Sequence, residues 1–310
     1  MITHYFFKIS NLLFKKNSSK ILTFVICSNG YGHCKRSAKV INEIFKLNPR
    51  ISINIIVNKN KVDYVKANLI SDSSFFNFDS CLMEDEPDWL NKKLNYSLFI
   101  RWANKFKNNP ILTQSDLIVS DNYVAPLQVD KKTLLMGSFL WLDIIKDSNK
   151  ETKKISLLEK KILAQNTPEI ISLDRMYMDS LSKKTSVYGV PWFTERKVNK
   201  KEFYHDKILI TSGGTEQLDD IFLDFIKRLT KKNISKEIFL DNKLFKKLKN
   251  KRIKGFSKIK IFKFTEKCFS SIDAIICRPG IGILTDCVSY LIPPIVIYDN
   301  KNPEIYHNAN

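Results

Sequence analysis

The chain has 310 residues, 44% of them hydrophobic, with 51 Lys and Arg against 32 Asp and Glu and a net charge of +19. That length supports a sizeable core and two domains rather than one; no stretch approaches the ~20 apolar residues of a membrane-spanning helix, and six scattered cysteines without a CxxC pair argue against a disulfide framework and for a reducing, cytoplasmic setting. The charge favours anionic partners, namely nucleotides, nucleic acid or an anionic membrane face, but Lys, Ile and Asn are abundant throughout, as a compositionally biased genome would make them.

Residues 1–20 join an apolar stretch (Phe6, Phe7, Ile9, Leu12, Leu13, Phe14) to Lys8, Lys15 and Lys16, with no A-x-A-like cleavage site. They read as an arm docked on the first domain, or as an amphipathic surface segment, rather than as a signal peptide. From residue 21, short β-rich apolar runs alternate with helical patterns. Strands are expected at 21–27, 51–57, 73–78, 116–120, 133–136, 169–173 and 185–188, and helices at 33–47, 61–70, 89–107 and 151–164. Such alternation argues for a parallel sheet covered on both faces. The polar segment 194–206 reads as a linker between a domain at 21–193 and a second α/β domain at 207–310. The second domain is expected to carry strands at 207–211, 237–240, 258–262, 274–277 and 294–298. Helices are expected at 216–231, 242–249 and 283–290, with a short one near Thr265. Two α/β domains facing across a cleft would place ligands beyond the carboxyl ends of their strands.

Three loops and one aspartate then carry the chemistry. In "SNGYGHCKR", Gly30 and Gly32 let a ligand approach the backbone, and a helix start suits an anion. The loop is neither a Walker A motif nor GxGxxG. It presents His33, whose imidazole can take a proton near neutral pH; a capping or packing histidine is the plainer alternative. In "ILITSGGTEQ", Ser212, Gly213, Gly214 and Thr215 offer N–H and hydroxyl donors to a diphosphate. In the third loop, Gly280 and Gly282 precede a helix whose first turn is expected to hold Thr285 and Asp286. That carboxylate is placed to accept ribose hydroxyls, or simply to favour the helix dipole. Asp121, in "SDLIVSDNY", follows a buried strand. It can orient His33 and stabilise its charged form, or it can cap the next turn.

Taken in order, "SNGYGHCKRS", "SDLIVSDNY", "GSFLW", "ILITSGGTE" and "RPGIGILTDCVSYLIPPIVIYDNKNPEIYHNAN" resemble the GT-B glycosyltransferases, in particular the MurG-like family 28 group and the related UDP-glycosyltransferases. The likeness spans most of residues 20–310 in short islands. It implies two Rossmann-like domains, the first holding an acceptor and the second a UDP-sugar. It implies that His33 is the base that deprotonates an acceptor hydroxyl and Asp121 its support. Ser212, Gly213 and Gly214 match the diphosphate loop. Gly280, Gly282 and Thr285 match a second phosphate loop, and Glu304 and Asn308 match the end of the donor motif. Asp286 stands where the family has a longer glutamate, and Arg278-Pro279 replaces its usual glycine or serine. The second domain ends early relative to the family.

The expected activity is inverting, metal-independent transfer of a sugar from UDP to a hydroxyl of a glycan, lipid-linked or small-molecule acceptor. UDP-sugar is then a co-substrate and no bound cofactor or metal is expected. The location is the cytoplasm, and the apolar, basic start permits peripheral contact with the inner face of a membrane. A nucleotide-sugar hydrolase and a non-catalytic sugar-nucleotide-binding partner are the alternatives. Nucleic acid is not expected, because no basic motif with interleaved aromatic residues accompanies the charge.

Overall fold

The computed structural model describes residues 20–70, 73–89, 94–145, 149–190, 206–213, 216, 218–232, 236–250 and 259–310. Nearly all of the expected arm at 1–20 and linker at 194–206 lies outside these residues, as do Gly214 and Thr215. The chain divides into two compact units, the first running to Phe193 and the second beginning at Thr194.

The first unit is a seven-stranded parallel sheet of β1 (Ile21–Val25), β2 (Ser52–Ile56), β3 (Phe76–Asp79), β4 (Leu117–Asp121), β5 (Thr133–Met136), β6 (Glu169–Leu173) and β7 (Ser186–Val190). Its order is β3-β2-β1-β4-β5-β6-β7. Chain order reverses between β1 and β4, which pair in register from Leu22 opposite Leu117 to Val25 opposite Ser120. Side chains alternate across a strand, and β1 shows it. Leu22, Phe24 and Ile26 enter a core with Ile41, Ile44 and Ile55 of the neighbouring helix and strand. Val25 and Cys27 enter the opposite core, built on Trp89, Phe99, Trp102 and Phe106. Burial on both faces explains why the run reads as continuously apolar.

The second unit repeats the scheme with β8 (Lys207–Thr211), β9 (Glu237–Leu240), β10 (Ile259–Ile261), β11 (Ala274–Cys277) and β12 (Pro294–Val296). The order β10-β9-β8-β11-β12 is the same pattern, with its reversal between β8 and β11. Ile210 and Leu209 again serve opposite cores.

Several boundaries differ from expectation. The helix expected at 33–47 spans Tyr31–Leu47, because glycine at 32 is as compatible with the first helical turn as with a loop. The one expected at 89–107 spans Tyr96–Lys107, where the Asn95 side chain accepts the Leu98 N–H and fixes the start. The one expected at 61–70 is only Val62–Lys66. The one expected at 216–231 is Asp219–Lys231. The one expected at 283–290 begins two residues earlier and spans Ile281–Tyr290. A terminal helix, Pro303–Ala309, starts on Asn302 as cap with proline at its first position.

All six cysteines are free, and Cys81 alone is exposed. Burial pushes the Cys34 thiol up to about 12 and the Cys27 thiol well above its usual range. Among the described residues no helix is long and apolar enough to cross a membrane.

Candidate active site

In the first unit, the chemistry-bearing residues gather at the reversal point of the sheet, where open α/β sheets bind ligands. The loop leaving β1 passes through Gly30 at φ 140°, a conformation that L side chains rarely adopt. The helix then begins at Tyr31 and carries His33 on its first turn. Gly32 is inside that helix, so only Gly30 acts as a loop glycine.

Asp121 is the last residue of β4 and is 1% exposed. His33 Nδ1 lies 2.8 Å from Asp121 Oδ1. Arg36, one helical turn beyond His33, forks onto the same carboxylate, with Nη2 at 2.5 Å from Oδ1 and Nε at 3.3 Å from Oδ2. The Ser37 hydroxyl donates to Oδ2 at 2.8 Å. Burial alone would push Asp121 upward, but Arg36 and His33 outweigh it and hold the carboxyl below its ordinary value. Asp121 is therefore a carboxylate, and the imidazole tautomer follows by assignment: Nδ1 carries the proton toward Asp121, and Nε2 keeps its lone pair. Arg36 Nη2 also approaches Nδ1 to 3.1 Å. Since neither nitrogen then has a free lone pair, that approach reflects convergence on Asp121. Phe139 and Trp141 flank the imidazole, with ring centroids at 6.3 and 5.9 Å.

The backbone after Asp121 is shaped for this arrangement. Asn122 has φ 61°. Its side chain presses on Gly137 at the end of β5, where a Cβ would stand 1.7 Å from Asn122 Oδ1. Asn122 Oδ1 also accepts from Arg36 at 3.3 Å. The glycine of "GSFLW" is thus required by close packing.

In the second unit, the loops leaving β8 and β11 emerge from paired strands, and Arg278 N–H donates to Thr211 O at 3.3 Å. Gly213 has φ 76°. Ser212 is fully buried; its hydroxyl donates to Asp219 at 2.5 Å and its N–H to Asp241 at 3.2 Å. The expected diphosphate donor is therefore engaged inside the domain. The Gly213 N–H turns to Thr211 Oγ1 at 3.2 Å. Gly280 caps the Ile281–Tyr290 helix at φ −82°, with nothing within 4 Å of where a Cβ would stand. Gly282 is helical. Thr285 and Asp286 lie on the second turn rather than the first, 5% and 7% exposed, because the helix begins early. The Thr285 hydroxyl donates to Ile281 O at 2.7 Å. Asn308 donates to Pro279 O at 3.0 Å and ties the terminal helix, with Glu304 on its first turn, to the Gly280 loop. Arg278 is buried in the same loop; desolvation lowers its pKa, opposed by the nearby charges of Glu304 and Asp299. Among the described residues no three His, Cys, Asp or Glu side chains converge as a metal site.

Some participants had no counterpart in the sequence reading. Arg36 and Ser37 follow His33 at helical spacing, a usable signal. Glu86 and Tyr123 bond to each other beside the β1 loop; Tyr123 closes the "SDLIVSDNY" stretch without having been singled out, and Glu86 lies in a segment with no periodic or motif signal.

No protein-family model matches the sequence, and no curated protein matches it. Solved structures do. Phytolacca americana UGT2, complexed with UDP-2fluoro-glucose and pterostilbene, aligns over 94% of this chain and 83% of its own with a TM-score of 0.61 and 9% identity. Medicago truncatula UGT71G1, complexed with UDP-glucose, aligns over 94% and 82% with a TM-score of 0.58 and 12% identity. The glycotransferase of kitacinnamycin aligns over 94% and 84% with a TM-score of 0.55 and 10% identity. These likenesses show the fold: two parallel α/β domains of the GT-B kind.

Proposed function

We propose that the protein is a glycosyltransferase that moves a sugar from a UDP-sugar to an acceptor hydroxyl with inversion and without a metal. The observation that carries the reading is the His33–Asp121 pair at the reversal point of the first sheet, on a GT-B fold. His33 Nε2 takes the proton of the acceptor hydroxyl as the oxygen attacks the anomeric carbon and the bond to UDP breaks. Asp121 holds the ring and stabilises the imidazolium that forms. Arg36 keeps Asp121 ionised throughout. In the second unit, the leaving diphosphate is stabilised by backbone N–H groups and the helix start at Gly280, where negative charge develops. Open space at Gly280 supports this, since its φ would suit any residue and no neighbour requires a glycine. Glu304 and Asn308 complete the donor side, and Thr285 and Asp286 support it from within the helix.

The acceptor is a glycan, a lipid-linked molecule or a small molecule. The reducing cytoplasm, with an acceptor reached at the inner membrane face, is the proposed setting, supported by six free cysteines. The MurG-like affiliation rests on motifs alone, and the reading of the site does not depend on it.

Calorimetric titration with UDP, and ADP as the control, tests the donor assignment: UDP should bind selectively. His33→Ala should then cut turnover ~10²–10⁴-fold while leaving UDP affinity intact. Equal loss of turnover and UDP binding would remove His33 from the role of base.

A further inference from the structure

Glu86 belongs to no motif, yet its carboxyl joins the two loops that carry the His33–Asp121 pair. A single oxygen, Oε1, accepts the Ser28 N–H at 3.0 Å, the Asn29 Nδ2 at 2.6 Å and the Tyr123 hydroxyl. Ser28 and Asn29 open the loop that turns at Gly30 and delivers His33. Tyr123 stands two residues beyond Asp121. Asn29 reinforces the join: its Oδ1 accepts the Trp89 N–H at 3.1 Å and its Nδ2 reaches Pro87 O at 3.2 Å. One side chain from a third segment therefore ties together the two loops that leave the paired strands β1 and β4. Helix packing brings His33, Arg36 and Ser37 together onto Asp121, and Glu86 ties down the loop through which the chain enters that helix.

We infer that Glu86 is a positioning residue for the His33–Asp121 pair, acting by clamping the loop after β1 to the turn after β4. Its catalytic consequence rests on the proposed sugar transfer; the clamp itself does not.

The clamp also depends on charge. Burial raises the Glu86 carboxyl to about 7, against the bonds from Ser28 and Asn29 and the charge of Lys61, which favour ionisation. Cys27 lies 4.0 Å from Oε1 as a thiol. Asp85, Asp88 and Arg101 line with Glu86 a cavity of about 240 Å³, and Asp85 is paired with Lys105 at 2.5 Å. An ionised Oε1 holds three donors more strongly than the carbonyl of a neutral acid. The clamp therefore tightens as pH rises through about 7 and loosens below it.

Glu86→Gln keeps an accepting oxygen and removes the charge; Glu86→Ala removes both. The chain has four histidines, so ring-labelled protein gives few signals, and His33→Asn identifies that of His33. In the wild type the Ser28 amide should shift with a midpoint near 7, and the His33 ring signals should follow it. In Glu86→Gln that component should vanish from both. Superimposable His33 titrations in the two proteins between pH 5 and 9 would overturn the inference, whatever the activity. In turnover, Glu86→Ala should lose about 10²-fold in kcat through misplacement of the base, with Glu86→Gln recovering most of it at neutral pH. Equal losses in the two variants would also overturn it. A wild type that transfers no sugar, yet shows the linked titration, would reject the proposed function and leave the clamp in place.

Discussion

The two units share a strand order but prepare their loops in opposite ways. In the first, side chains converge on one another: Asp121 receives His33, Arg36 and Ser37 at once. In the second, polar side chains of the β8 loop turn inward, Ser212 to Asp219 and Asp241, and the β11 loop leaves open space around a glycine. On the proposed function, the difference teaches how one architecture would serve two tasks. A group that must move a proton needs fixed partners, because a small misplacement is costly. A surface that must seat a diphosphate needs bare backbone and a helix start.

Breaking the first arrangement should have the largest effect. Asp121→Ala leaves Arg36 and His33 without their buried counter-charge, so unfolding free energy should fall by about 3–5 kcal/mol. Turnover should fall roughly 10³–10⁴-fold, with UDP affinity spared. Thermal unfolding beside steady-state kinetics checks both, and an unchanged melting temperature would show that the fold does not depend on this buried counter-charge.

The next effect concerns charge buried in the first unit away from the site. Burial, with Asp143 adding and Lys184 opposing, pushes Glu159 up to about 8. Its folded pKa thus lies above the unfolded value, so its contribution is whole below about 4.5 and is lost as pH rises through about 8. Glu159→Gln should match the wild type near pH 5 and exceed it at pH 9, by ~3–5 kcal/mol at most. Melting temperature against pH reads the crossover; a constant offset would sink the assignment.

The smallest effect should come from the second unit. A Cβ at Gly280 meets no neighbour in the fold, so Gly280→Val should lower the melting temperature only by the cost of valine in place of glycine at the N-cap. UDP affinity should fall about tenfold, ~1.4 kcal/mol. Loss of stability without loss of affinity would reverse the contrast between the units.

Much of this was legible in the sequence. Strands β5, β6, β8, β9 and β11 begin and end where apolar β-rich runs do, because each is buried and bounded by turn residues. The meeting of His33 and Asp121 was legible too, since Asp121 ends β4 and His33 follows the loop after β1, the two strands at the sheet's reversal. Gly32 and Gly282 were misread as loop glycines because glycine suits a first helical turn as well as a loop. The Ser212 side chain turns inward because the acids that engage it, Asp219 and Asp241, sit on a following helix and just past the end of a neighbouring strand. Glu86 left no trace, since its three donors come from residues 28, 29 and 123, which only the folded sheet brings together.

The cysteines carry a practical consequence. Cys27 and Cys34 flank the loop that delivers His33, and burial keeps both as unreactive thiols at neutral pH. Cys81, exposed in the turn after β3 and five residues before Glu86, is left as the first point of attack for an alkylating dye. A fluorophore attached there needs no engineered handle, and it would sit on the segment that fastens the His33 loop, so its emission can follow that segment's motion in real time.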